Sequence, residues 1–364
     1  MMKNNKQEKW IKIIPSVISI IIGIVLGWYI LFLMNPSDSF AGIRTVLLGG
    51  FNEGIAGIGS VLYTATPIIL TGLSVGFSMK TGLFNIGASG QFTAGAFTAI
   101  FIGVKCTMLP AGLHAVTAVL AGTLAGTLWG MLTGVLKAYF RVSEVISGIM
   151  LNYVAMLLSN LLIKNYIYDE TFNRSLSVAP TAEIPSNVLD FILPESHVNI
   201  IFFAALLIAL LVKAVLDKST FGYSLKTTGR NAFAAQAAGI PTKTNIALTP
   251  AISGALAGIG GALMFLCDFG DHISATETVL QQGFTGISVA LLGLSDPIGI
   301  VIAGLFIAYL TVGGNYLQLF AYTPDVVDMI VAVIIFCGAF VVPIQMFIRA
   351  WIRKKKNTPE EGRV

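Results

Sequence analysis

Apolar runs long enough to cross a bilayer recur along almost the whole of this 364-residue chain, and they constrain its fold more than any other feature. They fall at about 11–34, 60–79, 82–104, 109–136, 144–165, 198–216, 245–266, 284–295, 298–318 and 326–349. A helix needs about 20 residues to cross the hydrocarbon layer, and lipid leaves backbone polar groups to be satisfied within the segment itself. The chain is therefore expected to be an all-α polytopic membrane protein with about ten transmembrane helices. Charged residues make up 11% of it, where a soluble domain carries about 25%. The eighth run is short and stops at Ser295-Asp296-Pro297, which suits a half-helix or part of a broken one. The first follows Lys3, Lys6, Lys9 and Lys12 and is longer than a signal-peptide core, so it reads as a permanent span.

Charge placement sets the orientation. With the N-terminus inside, only Arg44, Lys105, Lys164 and Arg174 of the 22 Lys and Arg fall outside, while most acidic residues do. Positive charge is retained on the cytoplasmic side in short loops, so both termini are expected there. The expected layout is a cytoplasmic segment 1–12, a membrane domain 13–349 and a cytoplasmic tail 350–364. Within the membrane domain lie a cytoplasmic loop at 217–244 and an exterior loop at 166–197. Five spans precede that exterior loop and five follow it, an arrangement suited to two five-helix inverted repeats. A loose likeness between Gly82-Leu83-Phe84-Asn85-Ile86-Gly87 and Gly283-Phe284-Thr285-Gly286-Ile287 points the same way.

The spans are rich in small residues. Gly122, Gly126, Gly130 and Gly134 form a bare strip on the fourth, and Gly254 and Gly258 repeat the spacing on the seventh. Such strips let helix backbones approach closely. The stretch from Gly82 to Phe97 adds uncharged polar side chains, Asn85, Ser89, Gln91 and Thr93. Asn85, Ser89, Gln91, Asn152 and Tyr153 are candidates for lining a solute path, and hydrogen bonding between helices is the competing role for each of them.

Enzymatic and metal chemistry find little support. Cys106, Cys267 and Cys337 have no CxxC spacing, and His114, His197 and His272 lie far apart, so no metal site is expected. Asp268, Asp271 and Glu277 share one exterior loop and are expected to be solvated. No GxxxxGK[ST] phosphate loop is present. Glu144, Asp325 and Asp328 sit at the ends of spans, and few ionisable groups lie at mid-membrane, where ion-coupled carriers place them. Energy for any pumping would then enter from outside the spans. The candidate place is the stretch between spans six and seven. There Ser219 and Thr220 can cap a turn, Gly229-Arg230-Asn231 signals another, and Ala232–Ala238 favours a short helix closed by Gly239 and Pro241. That helix suits docking into a groove of a soluble partner.

"TGLFNIGASGQFTAGAF" and "FGYSLKTTGRNAFAAQAAGI", with "GFTGISVALLGLSDPIGIVIAGLF", resemble the permease subunits of bacterial ATP-binding-cassette importers. The branch is that of branched-chain amino acid, ribose-type sugar and nucleoside permeases, and the nucleoside permeases are the nearest in wording. Gly82, Phe84, Asn85, Ile86, Gly87, Gly90 and Gln91 match the family's first motif, and Ser89 departs from its usual acidic residue. Gly222, Gly229, Arg230, Asn231, Ala234, Ala235, Ala238 and Gly239 fall in what the resemblance makes the ATPase-coupling loop. The resemblance implies a non-enzymatic transport subunit in the bacterial plasma membrane that binds no cofactor itself, ATP being used by a cytoplasmic ATPase. It further implies a second, related but different permease chain, an extracellular substrate-binding lipoprotein, surrounding lipid, and no nucleic acid. Nucleosides are the expected solute, with simple sugars or branched-chain amino acids as alternatives. From another class, an ion-coupled secondary carrier remains the alternative.

Overall fold

The computed structural model describes residues 18–19, 21–185, 200–267, 272–320, 322–340, 343–344 and 346–347. The sequence expectations for 1–12, 350–364, His197, Asp268 and Asp271 lie outside the described residues. Helices dominate, and six are long and apolar enough to cross a membrane: Ile55–Lys80 (α3), Leu113–Phe140 (α5), Glu144–Tyr166 (α6), Ile200–Lys218 (α7), Thr242–Phe265 (α10) and Pro297–Asn315 (α12). Shorter helices are Ile21–Met34 (α1), Ser39–Leu48 (α2), Ala88–Lys105 (α4), Thr220–Arg230 (α8), Ala232–Ala237 (α9), Gln282–Leu292 (α11) and Pro324–Ala339 (α13). A two-residue hairpin pairs Tyr168–Asp169 (β1) with Arg174–Ser175 (β2). This is a polytopic all-α membrane protein.

The chain forms two compact units, residues 1–52 with 310–364, and residues 53–309. In the first, Gly23 and Gly27 of α1 lie against Ile334 and Ile330 of α13. Tyr322 donates from its hydroxyl to the carbonyl oxygen of Asn35, 3.2 Å away.

The second unit is built on α4, α5 and α10. Gly122, Gly126, Gly130 and Gly134 face α10, and a Cβ at Gly254 would stand 3.0 Å from the Gly126 carbonyl carbon. Gly258 of α10 meets Gly95 of α4 as closely, so three backbones converge on one line. The gain is dispersion contact between main chains, since lipid offers no hydrophobic push between helices. Above them Phe92, Ile100 and Phe265 fill the core. His114, the second residue of α5, is buried with both ring nitrogens bonded, Nδ1 to the Thr181 hydroxyl at 2.8 Å and Nε2 to the Ile102 carbonyl at 3.0 Å.

Two elements differ from the sequence expectation. The run 82–104 is helical only from Ala88, because Gly82 turns left-handed at φ +80° and the chain then stays non-helical to Gly87. The turn expected at Gly229-Arg230-Asn231 is confined to Asn231, and Gly229 and Arg230 complete the eleven-residue helix α8. The half-helix expected at 284–295 is present as the eleven residues of α11.

Replacing Gly254 by Val forces a branched side chain into the Gly126 backbone, which cannot move aside. It is expected to destabilise the folded protein by about 3 kcal/mol, the upper end of overpacking costs. Thermal denaturation in detergent measures this, with the exposed Leu124→Ala on α5 expected to change stability by under about 0.5 kcal/mol.

Candidate functional site

The non-helical segment 83–87 lies among α3, α4, α6 and α10, and buried side chains satisfy it. Asn152 of α6 accepts from the Gly90 N–H at 2.8 Å and donates to the Ile86 carbonyl at 3.0 Å. One amide thus caps α4 from a neighbouring helix, bonding an N–H that a helix's first turn leaves orphaned. Gly148, one turn earlier on α6, allows the close approach, for a Cβ there would lie 2.9 Å from the Gly87 nitrogen.

Asn85 and Gln91 are turned toward one another. Asn85 Nδ2 donates to Gln91 Oε1 at 2.8 Å and to Ser253 Oγ of α10 at 2.6 Å. Ser253 donates in turn to the Ser74 carbonyl of α3 at 2.6 Å, and the two serine hydroxyls are 2.8 Å apart. Four elements therefore meet in one buried polar network without a formal charge. Ser89 is also buried, and its hydroxyl donates to the Leu280 carbonyl. Its backbone abuts Gly283, so the N-terminal ends of α4 and α11 meet. Thr71 of α3 donates to the Gln282 carbonyl at 2.9 Å and secures the start of α11.

Of the five residues singled out in sequence as candidates for lining a path, only Tyr153 is exposed. It opens on a cavity of about 730 Å³, lined by α6, Ile86, the segment 277–281 and the first turn of α11. Asn152 reaches the cavity wall, but with its amide engaged on both sides. Glu277, expected from sequence to be solvated in an exterior loop, is exposed on this cavity, and Gln281 and Phe284 belong to it too without having been singled out from sequence. Their signal was the non-helical lead into a short helix, which spacing alone does not tie to α6.

At the other end of the unit, α8 and α9 form a capped pair. Ser219 Oγ accepts from Gly222 N–H at 2.9 Å, and Asn231 Oδ1 accepts from Ala234 N–H at 3.0 Å. Gly239, at φ +80°, ends α9. Gly222 lies on the backbone of Val215 and Leu216, and Ala235 is buried. Arg230, Ala234, Ala238 and Phe233 are exposed, the last by 86%. Asn245 of α10 donates to Thr228 of α8 at 2.8 Å. A Cβ on Gly82 would lie 2.5 Å from Gly229 Cα, so α8 rests directly on the start of the non-helical segment.

An ion-pair chain joins the same region to α11. Lys226 meets Asp217 at 3.5 Å, Asp217 meets Lys213 at 3.8 Å, and Lys213 meets Asp296 at 3.1 Å in the turn after α11. Burial opposes ionisation of Asp296. The hydrogen bond from Lys213, with the Gly299 and Ile298 N–H groups, outweighs it and holds the carboxyl below its ordinary 3.8.

Residues 57–339 match the family described as the branched-chain amino acid transport system permease component. The chain is 32% identical to the nucleoside ABC transporter permease protein NupB of Lactococcus lactis, covering 99% of each chain. It is 34% identical to the guanosine ABC transporter permease protein NupP of Bacillus subtilis, over 94% of this chain and 97% of that one. The glucose ABC transporter permease protein TsgB13 of Haloferax volcanii is 29% identical over 90% of this chain and 87% of its own. No solved structure matches.

Asn152→Ala strands the Gly90 N–H and the Ile86 carbonyl in a buried place, at about 1–3 kcal/mol each. A clear fall in thermal stability, with faster hydrogen exchange at Gly90, is the expected result, whereas Tyr153→Ala leaves both near wild type. Because the Asp296 pKa is depressed on folding, its contribution is complete above the ordinary carboxyl value and disappears as pH falls through the folded value. The stability difference between wild type and Asp296→Asn is expected to stay constant from about pH 7 to 5 and to shrink below about pH 4.

Proposed function

The chain belongs to the family of branched-chain amino acid transport system permease components, the membrane-spanning subunits of ATP-driven importers in the cell membrane, and on that premise we propose that its solute is a nucleoside. It is a transport subunit and not itself an enzyme. An importer of this class works with an ATPase and a solute-binding protein. The full-length similarity to NupB and NupP supports the nucleoside reading. The likeness to the glucose permease keeps sugars as the second reading.

The observation that carries the proposal is the open cavity beside Tyr153. Tyr153 lies midway along α6, yet the groups around it include Glu277 and Gln281. Lipid cannot bond such groups, so this face suits an interface with a second permease subunit, with the solute path between them. A solute-binding lipoprotein delivers to the outer mouth of that path.

Ten spans with both termini cytoplasmic agree with this arrangement, as do two inverted repeats of five. In that scheme α3 corresponds to α10, each with an internal proline, Pro67 and Pro250. Likewise α4 corresponds to α11, each entered through a non-helical segment, their N-terminal ends in contact. The pair α8–α9 is the docking element for the ATPase, where ATP is used, with Phe233 as its exposed apolar anchor. Movement of α8 passes to segment 83–87 through Gly229 and Gly82, and to α11 through Lys213 and Asp296.

Phe233→Asp tests the docking assignment, since the side chain supports nothing in the fold. Loss of ATPase co-purification and of labelled uridine or adenosine uptake is expected, at unchanged abundance and Tm. Uptake that persists without ATPase would instead support an ion-coupled carrier. Competition of that uptake by unlabelled nucleosides, but not by ribose or leucine, is the expected specificity.

A further inference from the structure

The cavity between α6 and α11 brings exposed aromatic and polar groups together. Tyr153 and Phe284 are 53% and 42% exposed there, one from each helix. Neither ring packs against another aromatic residue among the described residues. Among the described residues the Gln281 side-chain amide has no bonding partner and the Glu277 carboxylate pairs with no cation. Asn152, Ile86 and the start of α4 are locked behind them by the amide staple. The result is a fixed floor with free aromatic faces and free polar groups above it. Its volume, about 730 Å³, falls in the usual range for small-molecule sites.

We propose that this cavity is a nucleoside-binding station within the membrane, where Tyr153 and Phe284 stack on the base and Glu277 and Gln281 bond its hydroxyl and N–H groups. This rests on the reading of the solute as a nucleoside. Every base presents a π-face, so aromatic stacking holds purine and pyrimidine nucleosides alike. Among the described residues Glu277 is the one acidic side chain of the lining. It accepts hydrogen bonds from ribose hydroxyls and repels phosphate, so nucleotides are disfavoured. The hydroxyl of Tyr153 adds a donor at the ring edge. Asn85 and Gln91 take no part, because their amides are spent on each other and on Ser253.

The test uses the whole transporter in cells taking up labelled adenosine, with membrane abundance and ATPase co-purification measured for every variant. Tyr153→Leu and Phe284→Leu keep apolar bulk and remove the ring, and each is expected to lower uptake about tenfold, the scale of one lost base stack. Tyr153→Phe, which keeps the ring, is expected to recover most of the loss. Photolabelling of the assembled transporter with 8-azidoadenosine is expected to mark peptides containing residues 149–153 or 281–285. Uptake that survives both leucine variants, or a label confined to the other subunits, overturns the station while leaving the nucleoside reading intact. A wild-type transporter that imports ribose and not adenosine overturns the substrate reading, and the station with it.

Discussion

A backbone that leaves helical geometry inside a membrane has to find its hydrogen-bond partners within the protein, and the second unit of this chain is arranged around that need. Residues 83–87 are the place where it arises. Asn152 bonds the Ile86 carbonyl and the Gly90 N–H, while Asn85 is held by Gln91 and Ser253. Polar side chains that look expensive in an apolar chain are thus the means by which an irregular segment is kept in place. They carry no net charge, so no ion has to be desolvated to keep them there.

Close main-chain packing makes this network possible. The glycines of α5 and α10 bring those helices together, and Gly95 and Gly258 add α4. With backbones that near, the short side chains of Ser74 and Ser253 reach one another directly. The same economy of side-chain volume seats α11 against α3 and α4 through Gly283 and Gly286. Larger residues at these positions would separate the helices and put the amides out of reach.

Much of this is legible in the sequence, for identifiable reasons. Apolar length marks the helices, and the four-residue spacing of Gly122 to Gly134 marks the face that α10 covers. Asn231 and Gly239 announce the boundaries of α9 because capping chemistry is local. Gly229 misled because a glycine inside a helix looks like a turn signal, whereas its role is set by Thr81 and Gly82, far away in sequence. Asn152 and Gln91 stood out as polar residues in apolar surroundings, but their partners lie on other helices, which no spacing rule connects. Phe284 escaped notice for the opposite reason: an aromatic residue in an apolar run is ordinary until a cavity is seen beside it.

The contact of Gly82 with Gly229 has a mechanical consequence. Side chains packed between two helices act as a compliant layer, since they can change rotamer and absorb part of any displacement. Here main chain meets main chain, and there is no rotamer to change. A shift of α8 would have to be taken up by Thr81 and Gly82 themselves, six residues before the start of α4 is reached. The joint is stiff along the direction of contact, and because Asn85 and Asn152 tie down the segment that follows Gly82, that stiffness continues into the start of α4.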